Sequence, residues 1–115
     1  MAAAKSVSVW TRVAGLYGAA GVGLGAWGAH GIKSVDPEFK AIYETGSRYH
    51  FAHTALIALS PLARRPHVTG ALAATGTALF SGSMYLVGVN EDRAYGKAGP
   101  VGGMFLVAAW LSLAL

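Results

Sequence analysis

The 115-residue chain has no cysteine and only five acidic residues. Without a thiol there is no disulfide, no thiolate nucleophile and no cysteine-ligated metal. Charged residues make up 12% of the chain and apolar ones 54%, about half the charged share of an average soluble domain. The acids stand at positions 36, 38, 44, 91 and 92, all in polar stretches. A nucleophile, a base and an orienting acid cannot be assembled from such positions, so no enzymatic activity is expected. The net charge of +4 is spread through tails and loops, with Arg64 and Arg65 the one adjacent basic pair. Nucleic-acid binding needs a basic face interleaved with aromatic platforms, and no such partner is expected.

What the chain has instead is glycine inside long apolar runs. Val13 to Ile32 is twenty residues without an Asp, Glu, Lys or Arg, and seven of them are glycine. In water each interior glycine costs a helix roughly 1 kcal/mol relative to alanine. In a bilayer the backbone bonds left unmade by any other conformation cost more, so the helix holds. Ala14, Gly18, Gly21, Gly25 and Gly28 recur at spacings of four and three, which draws a seam where another helix can approach closely.

Four apolar segments follow one another: 13–32, 49–63, 68–89 and about 98–115. The first and third are long enough to span a membrane as helices. The second is short, but it continues a helix predicted to start at Asp36-Pro37-Glu38, where Asp is a good N-cap and Pro a good first residue. Residues 37–48 are expected to lie at the interface and the chain to enter the bilayer near Tyr49, with Pro61 and Arg64-Arg65-Pro66 closing the far end. Gly70, Ala74, Ala78 and Gly82 draw a second small-residue seam on the third segment. The fold class expected is an all-α integral membrane four-helix bundle with a short interfacial helix before the second span. Four spans place both termini on one side, the cytoplasmic or matrix side; the count of basic residues is too even to fix the orientation by itself. Met1 to Arg12 is basic and free of acid, the bias of a mitochondrial targeting segment, and the following run is expected to be a retained helix, being longer than a signal-peptide core.

Gly23 to Gly28 matches G-x-G-x-x-G, but a dinucleotide fingerprint needs a preceding strand, and these glycines lie mid-span. The histidines are more informative. His30 ends the first span while His50 and His53 begin the second, so a helical hairpin is expected to gather all three at one membrane face. Neutral imidazoles on facing helices could hold haem or a divalent metal, or hydrogen-bond a quinone. They could equally be boundary residues bonded to loop carbonyls, to Glu44 or to tyrosines. Thr75, Thr77, Ser81 and Ser83 could line a transport path, although such side chains usually bond back to their own helix.

Four ordered blocks then add up to a resemblance: Gly25-Ala26-Trp27-Gly28-Ala29-His30-Gly31, Thr45 through Thr54, Leu79 through Tyr85, and Pro100-Val101-Gly102-Gly103 with Trp110. The chain resembles a family of small four-span membrane proteins, catalogued as a domain of unknown function, that includes eukaryotic transmembrane protein 256 and bacterial inner-membrane relatives. One departure is Ala109, where the family pattern has glycine. The resemblance implies the inner membrane of bacteria or of mitochondria, and carries no activity, substrate or cofactor with it. Gly18, Gly21, Gly25, Gly28, Gly82, Gly102 and Gly103 are the expected helix-packing positions, with Trp27, Tyr49, Tyr85 and Trp110 as interface anchors or fillers beside them. The expected function is that of a non-catalytic accessory or assembly subunit of a larger membrane complex, a respiratory complex of the mitochondrial inner membrane. The alternatives are a protein binding haem, metal or quinone through His30, His50 and His53, and a small oligomeric transporter.

Overall fold

Residues 6–32 and 35–115 are described by the computed structural model, and among them every regular element is helical. Met1 to Lys5 of the basic opening stretch, and Lys33 with Ser34, lie outside the described residues. The helices are α1 (Val9–His30), α2 (Pro37–Leu59), α3 (Pro66–Asn90) and α4 (Gly99–Ala114). Two 3₁₀ turns, Ser60–Leu62 and Arg93–Gly96, join the later pairs.

The helix starts follow from local chemistry. Ser8 Oγ accepts the Trp10 N–H at 3.2 Å, satisfying one of the four donors a helix N-terminus leaves open. Pro37 and Pro66 each occupy the first position of their helix, where the missing N–H costs nothing. From Pro37 the α2 helix continues unbroken to Leu59. The expected interfacial helix and second span are therefore one element, because nothing between Thr45 and Tyr49 interrupts its hydrogen bonding.

The helices alternate in direction. Ala14, Leu56, Ile57, Ala73 and Ala109, one or two from each helix, form a buried cluster flanked by Trp10, Val13 and Leu113, so the start of α1 and the end of α4 share one end of the molecule. Ala109, the departure from the family pattern, is fully buried there. At the opposite end the Arg93–Glu38 ion pair and the Asp36 N–H bonded to Glu91 Oε1 at 2.7 Å tie the α3–α4 connection to the start of α2.

Glycines set how closely the axes approach. The α1 seam faces α2 in antiparallel order: a Cβ at Gly18 would meet Thr54, at Gly21 Phe51, at Gly25 Ser47 and at Gly28 Tyr43. Between α3 and α4 the approach is backbone to backbone, a Cβ on Gly102 lying 2.5 Å from Phe80 N and one on Gly76 lying 3.0 Å from Gly102 O. A Cβ on Gly103 would make only ordinary contact with Phe80, at 3.6 Å.

The α3 seam behaves otherwise. Gly70 lies under the Trp10 ring and Ala74 accepts a hydrogen bond from Tyr17, but a Cβ on Gly82 would meet nothing within 4 Å. Gly82 thus has no packing partner among the described residues. The row packed inside the molecule is Thr69, Ala73, Thr77, Ser81 and Tyr85, one residue, or 100° of helix, away from the small-residue row.

α3, with 25 residues, and the stretch Arg93–Ala114, with 22, are long and apolar enough to cross a membrane. α1 has the length, 22 residues, with Arg12 its one Asp, Glu, Lys or Arg. α2 carries Glu38, Lys40, Glu44 and Arg48 in its first half.

Candidate functional site

The hairpin register separates the histidines. Gly21 of α1 faces His50 and Phe51, and His30 lies nine residues further along α1, about 14 Å at the helical rise. His30 is exposed at the helix end, whereas His50 and His53 are 5% and 6% exposed. The expected three-histidine cluster does not form, because α2 begins at Pro37, three turns before His50, and the chain turns back that much later.

Each buried imidazole has both nitrogens engaged. His50 Nε2 lies 2.8 Å from the Tyr17 carbonyl and Nδ1 2.7 Å from the Tyr85 hydroxyl. A carbonyl only accepts, so Nε2 carries the proton, and a neutral ring takes the Tyr85 O–H at Nδ1. In His53 the assignment is reversed. The indole Nε1–H of Trp110 donates to Nε2 at 2.9 Å, leaving Nδ1–H to donate to the Tyr49 carbonyl at 2.7 Å. Tyr49 also stacks on the His53 ring, with planes 11° apart. The two rings therefore link α2 to α1, α3 and α4. As placed, neither retains a free lone pair for iron or a divalent metal, and no group of three His, Asp or Glu able to hold a metal ion occurs among the described residues.

Beside His50 lies a cavity of about 170 Å³ between α1 and α3, lined by Tyr17, His50, Thr77, Ala78, Gly82 and Tyr85. It is where the α3 seam lacks a partner. Thr77 Oγ1 is buried in its wall with no hydrogen-bond partner. The neighbouring polar side chains are satisfied across helices, Ser81 Oγ donating to the Gly46 carbonyl and Thr69 Oγ1 pairing with Ser112 Oγ, each at 2.7 Å. Ser83 bonds back to Leu79 in its own helix, as its residue type predicts.

A second feature lies outside the bundle. Gly15 and Gly23 of α1 have nothing within 4 Å of an added Cβ, and Ala19 between them is exposed. With Leu16 and Val22, 73% and 63% exposed, they form an apolar face of small residues directed away from α2. A third is a cleft of about 410 Å³ between α1 and α2, bordered by Gly25 and Gly28 on one side and Lys40, Glu44 and Arg48 on the other. The sequence pattern alone names neither the residues of this outer row nor the cleft. The outer row overlaps the inner one in sequence and is distinguished only by which face meets α2, and the charged row falls in the segment 37–48 that the sequence places at the interface.

Comparison with known proteins adds a family. Residues 24–103 match the protein family of unknown function DUF423. The chain is 32% identical over 117 residues to a UPF0382 membrane protein of the fission yeast Schizosaccharomyces pombe, covering 93% of this chain and 98% of the relative. It is 32% identical to the UPF0382 membrane protein YwdK of Bacillus subtilis, with 80% and 81% covered, and 31% identical to one from Staphylococcus haemolyticus, with 80% of each covered. No solved structure matches.

Proposed function

The chain belongs to the DUF423 family, and we propose that it is a four-span, non-catalytic membrane protein that packs against a larger membrane complex as an accessory or assembly subunit. In this reading α1 and α2 cross the bilayer beside α3 and α4. The short loops, the alternating helix directions and the length of α1 support it.

The observation that carries the docking role is the outer row Gly15, Ala19 and Gly23, which no described residue covers. In a bilayer apolar burial contributes little to helix association, so close approach of backbones along small residues is what binds one helix to another. α1 has two such faces and uses one on α2. The second suits a helix from another protein.

The inner membrane of mitochondria is the proposed location in a eukaryotic cell. Relatives in Bacillus and Staphylococcus as well as in fission yeast are consistent with a membrane of bacterial descent, and the acid-free basic opening agrees. A respiratory complex is the proposed partner. The test is a mild-detergent native gel of membranes carrying a tagged copy, with mass spectrometry of the band. Migration at the mass of a respiratory complex is the expected result; migration only as a small species would overturn the subunit role.

A further inference from the structure

Lys40, Glu44 and Arg48 stand four residues apart on α2 and so share one helix face. Together with Tyr43 and Ser47 they form one wall of the α1–α2 cleft, and Gly25, Gly28 and Ala29 of α1 form the other, without side-chain bulk. A second cleft of about 440 Å³ continues from it past the same three charged residues. Among the described residues the one ion pair is Arg93–Glu38, so none of the three is paired there. Three charges line a cleft whose opposite wall is apolar.

Their depth gives the arrangement its meaning, and here the inference rests on the four-span reading. Gly46 lies against Ser81 and Met84 of α3, and Ser47 is level with Gly25 of α1. Those contacts place this turn of α2 eight residues inside the end of α3, about 12 Å at the helical rise, whereas Lys40 lies near the helix ends. The row therefore descends from the interface into the level of the charge-free part of α3. Arg48 leans back toward the surface, its Nη2 donating to Thr45 Oγ1 at 3.1 Å, as a basic side chain does when its stem lies in lipid. Gly88, two residues from the end of α3, meets Tyr43, so Lys40 and Glu44 lie at the interface level where a headgroup sits and Arg48 lies deepest; an ionisable group at that depth is costly and marks a binding function.

The order of charge along the cleft is cation, anion, cation. A lone anion would meet Glu44 and a lone cation would meet Lys40 and Arg48. The complement is a molecule with a negative phosphate and a hydrogen-bonding ammonium a few ångströms apart, whose remaining bulk is apolar where the cleft opens to lipid. We infer that the Lys40–Glu44–Arg48 cleft binds an aminophospholipid: the two basic residues hold the phosphate diester and Glu44 accepts hydrogen bonds from the primary ammonium. A choline headgroup cannot donate to Glu44, and a glycerol headgroup brings no charge to it.

The test is native mass spectrometry of the full chain from micelles holding equal amounts of phosphatidylethanolamine, phosphatidylcholine and phosphatidylglycerol. Wild type is expected to retain the ethanolamine lipid over both others. Glu44→Gln should lower that retention about tenfold, the equivalent of one charge-assisted hydrogen bond, and spare the glycerol lipid. Arg48→Gln should weaken both. Soluble glycerophosphoethanolamine at equal concentration should not compete, since it lacks the chains that lie along the cleft; effective competition would overturn the lipid assignment. Equal retention of the three lipids by wild type, or no loss of preference in Glu44→Gln, would overturn the site. Because the chain has no cysteine, Ala55→Cys in intact vesicles checks the span separately. Shielding from a water-soluble maleimide is expected, and rapid labelling would show that the four-span reading had failed, whatever the lipid result.

Discussion

Trp110 and His53, 57 residues apart in sequence, are joined by one hydrogen bond from the indole N–H to the imidazole Nε2. Indole is a donor only, so this bond fixes the His53 tautomer, leaving Nδ1 as the one ring nitrogen with a proton to donate to the Tyr49 carbonyl. An aromatic in the last turns of α4 thus anchors that helix on the second half of α2.

Trp110→Phe keeps an aromatic ring, though a smaller one, and removes the donor, leaving a buried acceptor unpaired. The expected cost is about 1–3 kcal/mol, read as a lower unfolding temperature in detergent. Trp110→Phe with His53→Leu should recover part of the loss, since no polar atom is then stranded.

The glycines separate into two kinds. Gly102→Ala puts a methyl against the Phe80 backbone nitrogen and should cost about 1–3 kcal/mol, the range for overpacking. Gly82→Ala, with open space around the new methyl, should gain up to about 1 kcal/mol from reduced chain entropy. Thermal unfolding of the two variants side by side checks the contrast.

Thr77 and Thr69 make a similar pair. Thr77→Val removes a hydroxyl that has no partner and should leave stability unchanged or raised, whereas Thr69→Val breaks the bond to Ser112 and should lower it by about 1 kcal/mol. Equal losses at the two positions would contradict the different surroundings assigned to them.

The helices, and the α1 face that packs on α2, were legible in the sequence because spacings of three and four map directly onto a helix surface. On α3 small residues sit on two adjacent rows: Gly70 and Ala74 meet α1, whereas Thr69 and Ser81 on the next row bond across to α4 and α2, contacts that spacing alone does not encode. The sequence groups His30 with His50 and His53 because a hairpin between segments 13–32 and 49–63 would bring them level. The position of Lys40, Glu44 and Arg48 along the bundle depends on the register between Gly46 and Ser81, a long-range property absent from local pattern.

The most direct test of the docking role compares Gly23→Leu with the wild type on a mild-detergent native gel. Gly23 faces open space, so the variant should fold with an unchanged unfolding temperature yet leave the high-mass band for a small species. A variant that stays in the complex with full occupancy would contradict a partner seated on the outer face of α1.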